Sequence, residues 1–176
     1  MVKTQRRRVL FVEGGGDRNS SLAAECRKAF SKLFENAGVE KRPKVVACGG
    51  RKDAYDQFCN ALKEAKDDVW LLVDAEDCVA AGPPFDPWAH VKARETDGWI
   101  RPDSATDDQL QLMNVVMETW LLSDPEALRS VFGPKLDVSK LLPEGPALEN
   151  CEKSAVYAAL DAAIKPTPSK RYGKGS

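Results

Sequence analysis

The stretch Val69-Trp70-Leu71-Leu72-Val73-Asp74-Ala75-Glu76-Asp77 constrains the fold of this chain more than any other. A short apolar run stops abruptly at three acids within four residues. Runs of this length, bounded in this way, are buried strands whose ends open to solvent. Acids at the carboxyl end of a parallel strand stand where α/β proteins place ligands. Arg8-Val9-Leu10-Phe11-Val12-Glu13-Gly14-Gly15-Gly16-Asp17 repeats the pattern. If the two strands are neighbours, Glu13, Asp74, Glu76 and Asp77 converge at one edge. Carboxylates crowded together repel one another unless a cation neutralises them. The spacing therefore predicts a divalent-metal site. Strand alternation lets Asp74 and Glu76 face the same side and turns Asp77 away, so that Asp77 is either a further ligand or a helix-cap or loop acid.

Around these strands the pattern alternates. A strand from Arg7 to Val12 leads through Gly14-Gly15-Gly16 to a helix capped by Asp17, Asn19 or Ser20 and ending near Ala37, with Gly38 as its stop. Leu22, Ala23, Cys26, Ala29, Phe30, Leu33 and Phe34 recur at three and four, which predicts one buried stripe. A strand at Lys44–Cys48 and a helix over Arg51–Lys66 precede the opening stretch. Such β-α-β-α-β order predicts a mostly parallel, Rossmann-like sheet with right-handed crossovers, flanked by helices. Later come a loop at Ala80–Asp86, a short helix from Asp86-Pro87, and a fourth strand from Leu110 to Met117. Glu118–Leu122 is read as the beginning of a helical turn, a helix capped by Ser123 or Asp124 runs through Phe132, and a last helix spans Cys151–Ile164. Residues 1–164 are read as a single domain and residues 165–176 as a basic tail.

Composition narrows the chemistry. Lys plus Arg (26) nearly equals Asp plus Glu (27), for a net charge of −1, so the chain is not a generic nucleic-acid coat. No apolar run is long enough for a membrane span, and the basic N-terminus is not followed by a signal-peptide core. Five cysteines without a C-x-x-C pair are read as free thiols in a reducing cytoplasm. A single histidine, His90, leaves little for zinc-hydrolase or Ser-His-Asp chemistry. Metal ligands here must be oxygens, which suit Mg²⁺ or Mn²⁺.

Other residues have two readings each. Glu118 lies among apolar neighbours and needs a partner: it is either an additional ligand or an acid bonded to a neighbouring loop. Trp120 is read as core. Arg51, Lys52, Lys170, Arg171 and Lys174 either hold a phosphodiester or are solvated loop charges. Cys48 and Cys78, near strand ends, are read as packing thiols. The Gly14–Gly16 turn lacks the spacing of a dinucleotide fingerprint, and Gly173-Lys174-Gly175-Ser176 lacks the flanking strand and helix of a P-loop.

Val-Glu-Gly after the first strand and Asp-x-Glu after the third resemble the TOPRIM pattern of topoisomerases, primases and overcoming-lysogenization-defect nucleases. Val12-Glu13-Gly14-Gly15, Ala47-Cys48-Gly49-Gly50-Arg51, Ala54-Tyr55-Asp56-Gln57-Phe58-Cys59, Leu72-Val73-Asp74-Ala75-Glu76 and Met117-Glu118-Thr119-Trp120-Leu121-Leu122-Ser123-Asp124-Pro125-Glu126 resemble, more closely, a bacterial TOPRIM-like family of domains of unknown function, often encoded beside an ATPase. The resemblance spans about Val9 to Lys174. It implies a Mg²⁺- or Mn²⁺-dependent nuclease or phosphotransfer subunit acting on DNA or RNA, with an ATPase partner, in a setting such as defence against phage. Glu13 then takes the role of the first glutamate, and Asp74 and Glu76 that of the Asp-x-Asp pair, with Glu76 one methylene longer than usual. Glu118 becomes a further ligand or orients one, and Lys174 or Arg171 offsets transition-state charge. Such proteins commonly continue into another helix, so the tail is read as cut short or disordered. The alternatives are an inactive module that binds an ATPase or nucleotide, and a small-molecule phosphoesterase.

Overall fold

A computed structural model describes residues 6–16, 19–79, 85–142 and 148–167. The strands are β1 (Arg8–Val12), β2 (Lys44–Ala47), β3 (Asp68–Asp74) and β4 (Leu110–Met113). The helices are α1 (Ser20–Asn36), α2 (Arg51–Glu64), α3 (Pro87–Ala93), α4 (Met117–Leu122), α5 (Pro125–Phe132) and α6 (Lys153–Ile164). The strands form one all-parallel sheet in the order β2-β1-β3-β4, a Rossmann-like α/β arrangement. Val9 to Val12 pair with Lys44 to Ala47 on one side and with Val69 to Leu72 on the other. The two apolar runs are thus neighbours, as their shared pattern requires.

Local chemistry sets the helix starts. Asn19 caps α1 by accepting from the N–H groups of Ser21 and Leu22, both at 3.1 Å. Asp86 and Asp124 cap α3 and α5, each with proline as the next residue, where a missing N–H costs nothing. α2 stops at Glu64 rather than Lys66 because Ala65 adopts a left-handed conformation, φ 52°.

The chain falls into two compact units. One includes β1, α1, β2, α2, β3 as far as Val73, and the segment Asp86–Leu112. Its core takes one side of the β strands (Val9, Phe11, Val69, Leu71, Val73) with Phe58, Trp88, Val91 and Trp99. The other begins at Asp74 and resumes at Met113. Its core is built from Val116, Leu122, Leu128, Val156, Leu160 and Ile164.

Three expectations change. α1 does not bury a full stripe: only Phe30 is buried, and Ala29 and Leu33 are exposed. The fourth strand ends at Met113 instead of Met117, and Met117 opens α4. Helical spacing then buries Glu118, Thr119 and Leu122 and leaves Trp120 42% exposed, so Trp120 is not core. A run of apolar residues does not distinguish strand from buried helix by itself. Among the described residues, no helix is long and apolar enough to cross a membrane.

Candidate metal centre

The site begins with a turn. After β1, the Glu13 N–H donates to the Leu72 carbonyl at 3.0 Å, carrying the β1–β3 ladder one residue past the strand. Gly14 then exchanges two backbone bonds with Gly49, each 2.9 Å. Gly15 has φ 90°, and a Cβ there would lie 2.8 Å from the Ala23 main chain. Only glycine permits that approach. The turn therefore takes the chain away at once and leaves Glu13 at the strand end.

Asp74 is the last residue of β3 and is 4% exposed. Its Oδ1 accepts the Met117 N–H at 2.8 Å. The N-cap residue of α4, Val116, supplies no side-chain bond. Asp74 thus does the work of a cap from another strand, satisfying one of the orphan donors at a helix start. Glu76 reaches its place differently from the expected strand alternation. Ala75 and Glu76 donate to Met113 and Val115 at 2.8 and 2.7 Å, and Glu76 turns left-handed, φ 70°. For a residue with a Cβ this costs on the order of 1–2 kcal/mol. Strain of that kind gathers where a side chain is needed in a particular place.

One carboxylate oxygen from each of Glu13, Asp74 and Glu76 lies within 4.8 Å of the other two, and this triad could bind a metal ion. An all-oxygen donor set excludes a thiolate or imidazole preference.

Glu13 and Glu76 each meet a cation. Arg51, the first residue of α2, places Nη1 3.3 Å from Glu13 Oε2. Its Nε and Nη2 grip Asp97 at 2.9 and 2.7 Å, and Arg94 Nε holds Asp97 at 2.9 Å. The guanidinium lies 4.8 Å from the centre of the Trp99 ring. Trp99 is stacked in turn on Tyr55, with centroids 4.4 Å apart. Burial acts against charge on both Arg51 and Asp97. The pairing outweighs it, raising the Arg51 pKa and holding the Asp97 carboxyl below its ordinary value of 3.8. Glu76 forms an ion pair with Lys153 at the start of α6.

The remaining predicted residues are elsewhere. Asp77 is exposed and Glu118 is 1% exposed, and neither is part of the three-carboxylate group. Lys174, with Lys170 and Arg171, lies outside the described residues, as do Asp17 and the Gly82-Pro83-Pro84 loop. Lys52 is exposed and bound to Asp56. Cys48 is a packing thiol: burial pushes it up to about 11, and its Sγ donates to the Val46 carbonyl at 3.3 Å. Cys78 is not one, since it is exposed, with its Sγ 3.7 Å from the Cys151 carbonyl. Arg94, Asp97 and Lys153 were not singled out from sequence. Asp97 lies 46 residues from Arg51, and Lys153 lies 77 from Glu76. Only a cation at the first turn of α6, where the helix dipole disfavours it, is a local sign.

The family described as Domain of unknown function (DUF4276) matches residues 12–176, and the chain belongs to it. No curated protein and no solved structure matches the chain.

Proposed function

We propose, for this member of a domain family without an assigned function, a Mg²⁺- or Mn²⁺-dependent TOPRIM-like nuclease or phosphotransfer subunit acting on nucleic acid. The observation that carries the reading is the gathering of Glu13, Asp74 and Glu76 at the ends of neighbouring parallel strands. Ligands of α/β sheets bind at that edge. Glu13, Asp74 and Glu76 would hold the ion. When bound, a divalent cation of this type polarises a phosphoryl oxygen and lowers the pKa of water. The protein's own part is positional. Asp74 is fixed by the Met117 N–H, Glu13 by its backbone bond to Leu72, and Glu76 by its left-handed turn. Carboxylates held in this way need little reorganisation to receive a cation. The sequence resemblance supplies the substrate class, nucleic acid, and the partner, an ATPase in a bacterial defence setting. The near-balanced net charge of −1 favours delivery of nucleic acid by such a partner.

The test is hydrolysis of single- and double-stranded DNA and RNA with Mn²⁺ or Mg²⁺, with the genomically adjacent ATPase present. Wild-type protein is expected to cleave, while Glu13→Gln and Asp74→Asn each lower the rate at least about a hundredfold. Absence of cleavage by the wild type with either metal and the partner defeats the nuclease reading.

A further inference from the structure

Contacts of the Arg51 guanidinium with Asp97, Trp99 and Glu13 are unequal. Nε and Nη2 form a bidentate fork on Asp97 at 2.9 and 2.7 Å. The cation lies against the face of Trp99 at 4.8 Å from its centroid. The Glu13 bond through Nη1, at 3.3 Å, is longer than either bond to Asp97. The tether is itself held. Arg94 holds Asp97, Tyr55 stacks on Trp99, and the Tyr55 hydroxyl donates to the Ile100 carbonyl at 2.8 Å. The Asp97 side chain is only 4% exposed and that of Arg51 13%. A fork–fork pair with this support stays in place when one further bond is exchanged.

Glu13 is claimed by the guanidinium and, on the reading above, by a divalent ion. We infer that Arg51 is a displaceable counter-ion of the site. It neutralises Glu13 until a divalent cation takes that carboxylate, and the released Nη1, kept at the rim by Asp97 and Trp99, then binds an anionic phosphate oxygen of the substrate. Guanidinium and metal would thus both hold one phosphoryl group. Asp97 is a positioning residue: it touches neither metal nor substrate and acts by holding Arg51.

This inference rests on the metal reading, and titration calorimetry separates the two. Mn²⁺ is titrated into the full chain and its variants, and inorganic phosphate into the Mg²⁺-saturated proteins. In Arg51→Gln, Glu13 loses its competing cation, so Mn²⁺ binds about fivefold tighter or more. Inorganic phosphate binds that variant about tenfold weaker. In Asp97→Asn the guanidinium keeps its charge but loses its counter-charge, so Mn²⁺ binds weaker than to wild type. Opposite signs from two touching residues are the signature, because a merely structural role weakens binding in both. If Arg51→Gln does not fold, Arg51→Gln/Asp97→Asn replaces it and is still expected to bind Mn²⁺ tighter than wild type. Wild type that binds no Mn²⁺ overturns the metal reading and this inference with it. Wild type that binds Mn²⁺, with Arg51→Gln or the double variant binding no tighter, overturns the role of Arg51 alone. Unchanged phosphate binding in the Arg51 variant also overturns it.

Discussion

Glu13 and Glu76 each meet a cation, and the two cations are held in opposite ways. Arg51 is clamped by Asp97, faces Trp99 and has a side chain 13% exposed. Lys153 stands at the start of α6 with its side chain 35% exposed, and its partner Glu76 occupies a strained left-handed turn. A planar fork in a dry setting is pre-organised, whereas an ammonium on a flexible stem in contact with water loses side-chain entropy for each bond it holds. Arg51 itself, held by Asp97, therefore belongs to the architecture of its unit, and its longer bond to Glu13 is the part that can be exchanged. The Glu76 pair is a loose neutralising contact set on a backbone under tension.

The largest test of that contrast is Arg51→Ala. It leaves the buried Asp97 with its ion pair to Arg94 but without the Arg51 fork, and breaking a buried pair from one side costs about 3 kcal/mol or more. Urea unfolding reads it directly, and a loss below about 1 kcal/mol would erase the distinction. The pH dependence comes next. The folded Asp97 pKa is depressed, so its contribution is fully present above the ordinary carboxylate value of 3.8 and is lost as pH falls through the lower folded value. The stability gap between wild type and Asp97→Asn should therefore be constant from neutral pH down to about that value and shrink below it. An unfolding series from pH 7 to pH 2 checks this.

Asp74→Ala is expected to cost about 1–2 kcal/mol by removing the acceptor for the Met117 N–H. Asp74→Asn, which keeps an oxygen acceptor, should retain most of that stability while Mn²⁺ binding falls. Thermal unfolding and calorimetry on the two variants separate the capping role from the metal role. The smallest effects belong to the Glu76 side. Lys153→Ala should change stability by about 1 kcal/mol or less. Glu76→Gly gains about 1 kcal/mol by relieving the backbone and loses a similar amount with its ion pair, so its midpoint should barely move. Its Mn²⁺ affinity should nevertheless drop. A midpoint shift as large as that of Arg51→Ala would show that the two sides are not different after all.

Much of this was legible along the chain because it depends on neighbours in sequence. The runs Val9–Val12 and Val69–Val73 announce strands, and the acids after them announce the edge. Asp86-Pro87 and Asp124-Pro125 announce helix starts. Boundaries failed where the same residues serve two structures. Val115, Val116 and Met117 extend the apolar run of Leu110–Met113, yet the chain leaves the sheet there, and the Thr119 N–H turns back to Val116 as α4 begins. The helical turn expected from Glu118 begins one residue earlier, and Trp120, read as core, is exposed on it. Glu76 was expected beside Asp74 by alternation. It arrives there through a left-handed turn, a backbone state that sequence rarely announces for a non-glycine residue.

The sequence by itself determined the parallel α/β plan, the two strand ends, and the oxygen-only chemistry offered by Glu13, Asp74 and Glu76. Each of these follows from hydrophobic period and residue type. Only the tertiary structure decided which cation meets which acid: Arg51 with Glu13 and Asp97, Lys153 with Glu76. It also decided that Asp74 serves a helix start 43 residues away. The reason is physical. Apolar periodicity acts over a few residues and leaves its trace in order along the chain. An ion pair is fixed by distance and burial, and the residues that make it carry no mark of one another until folding brings them together.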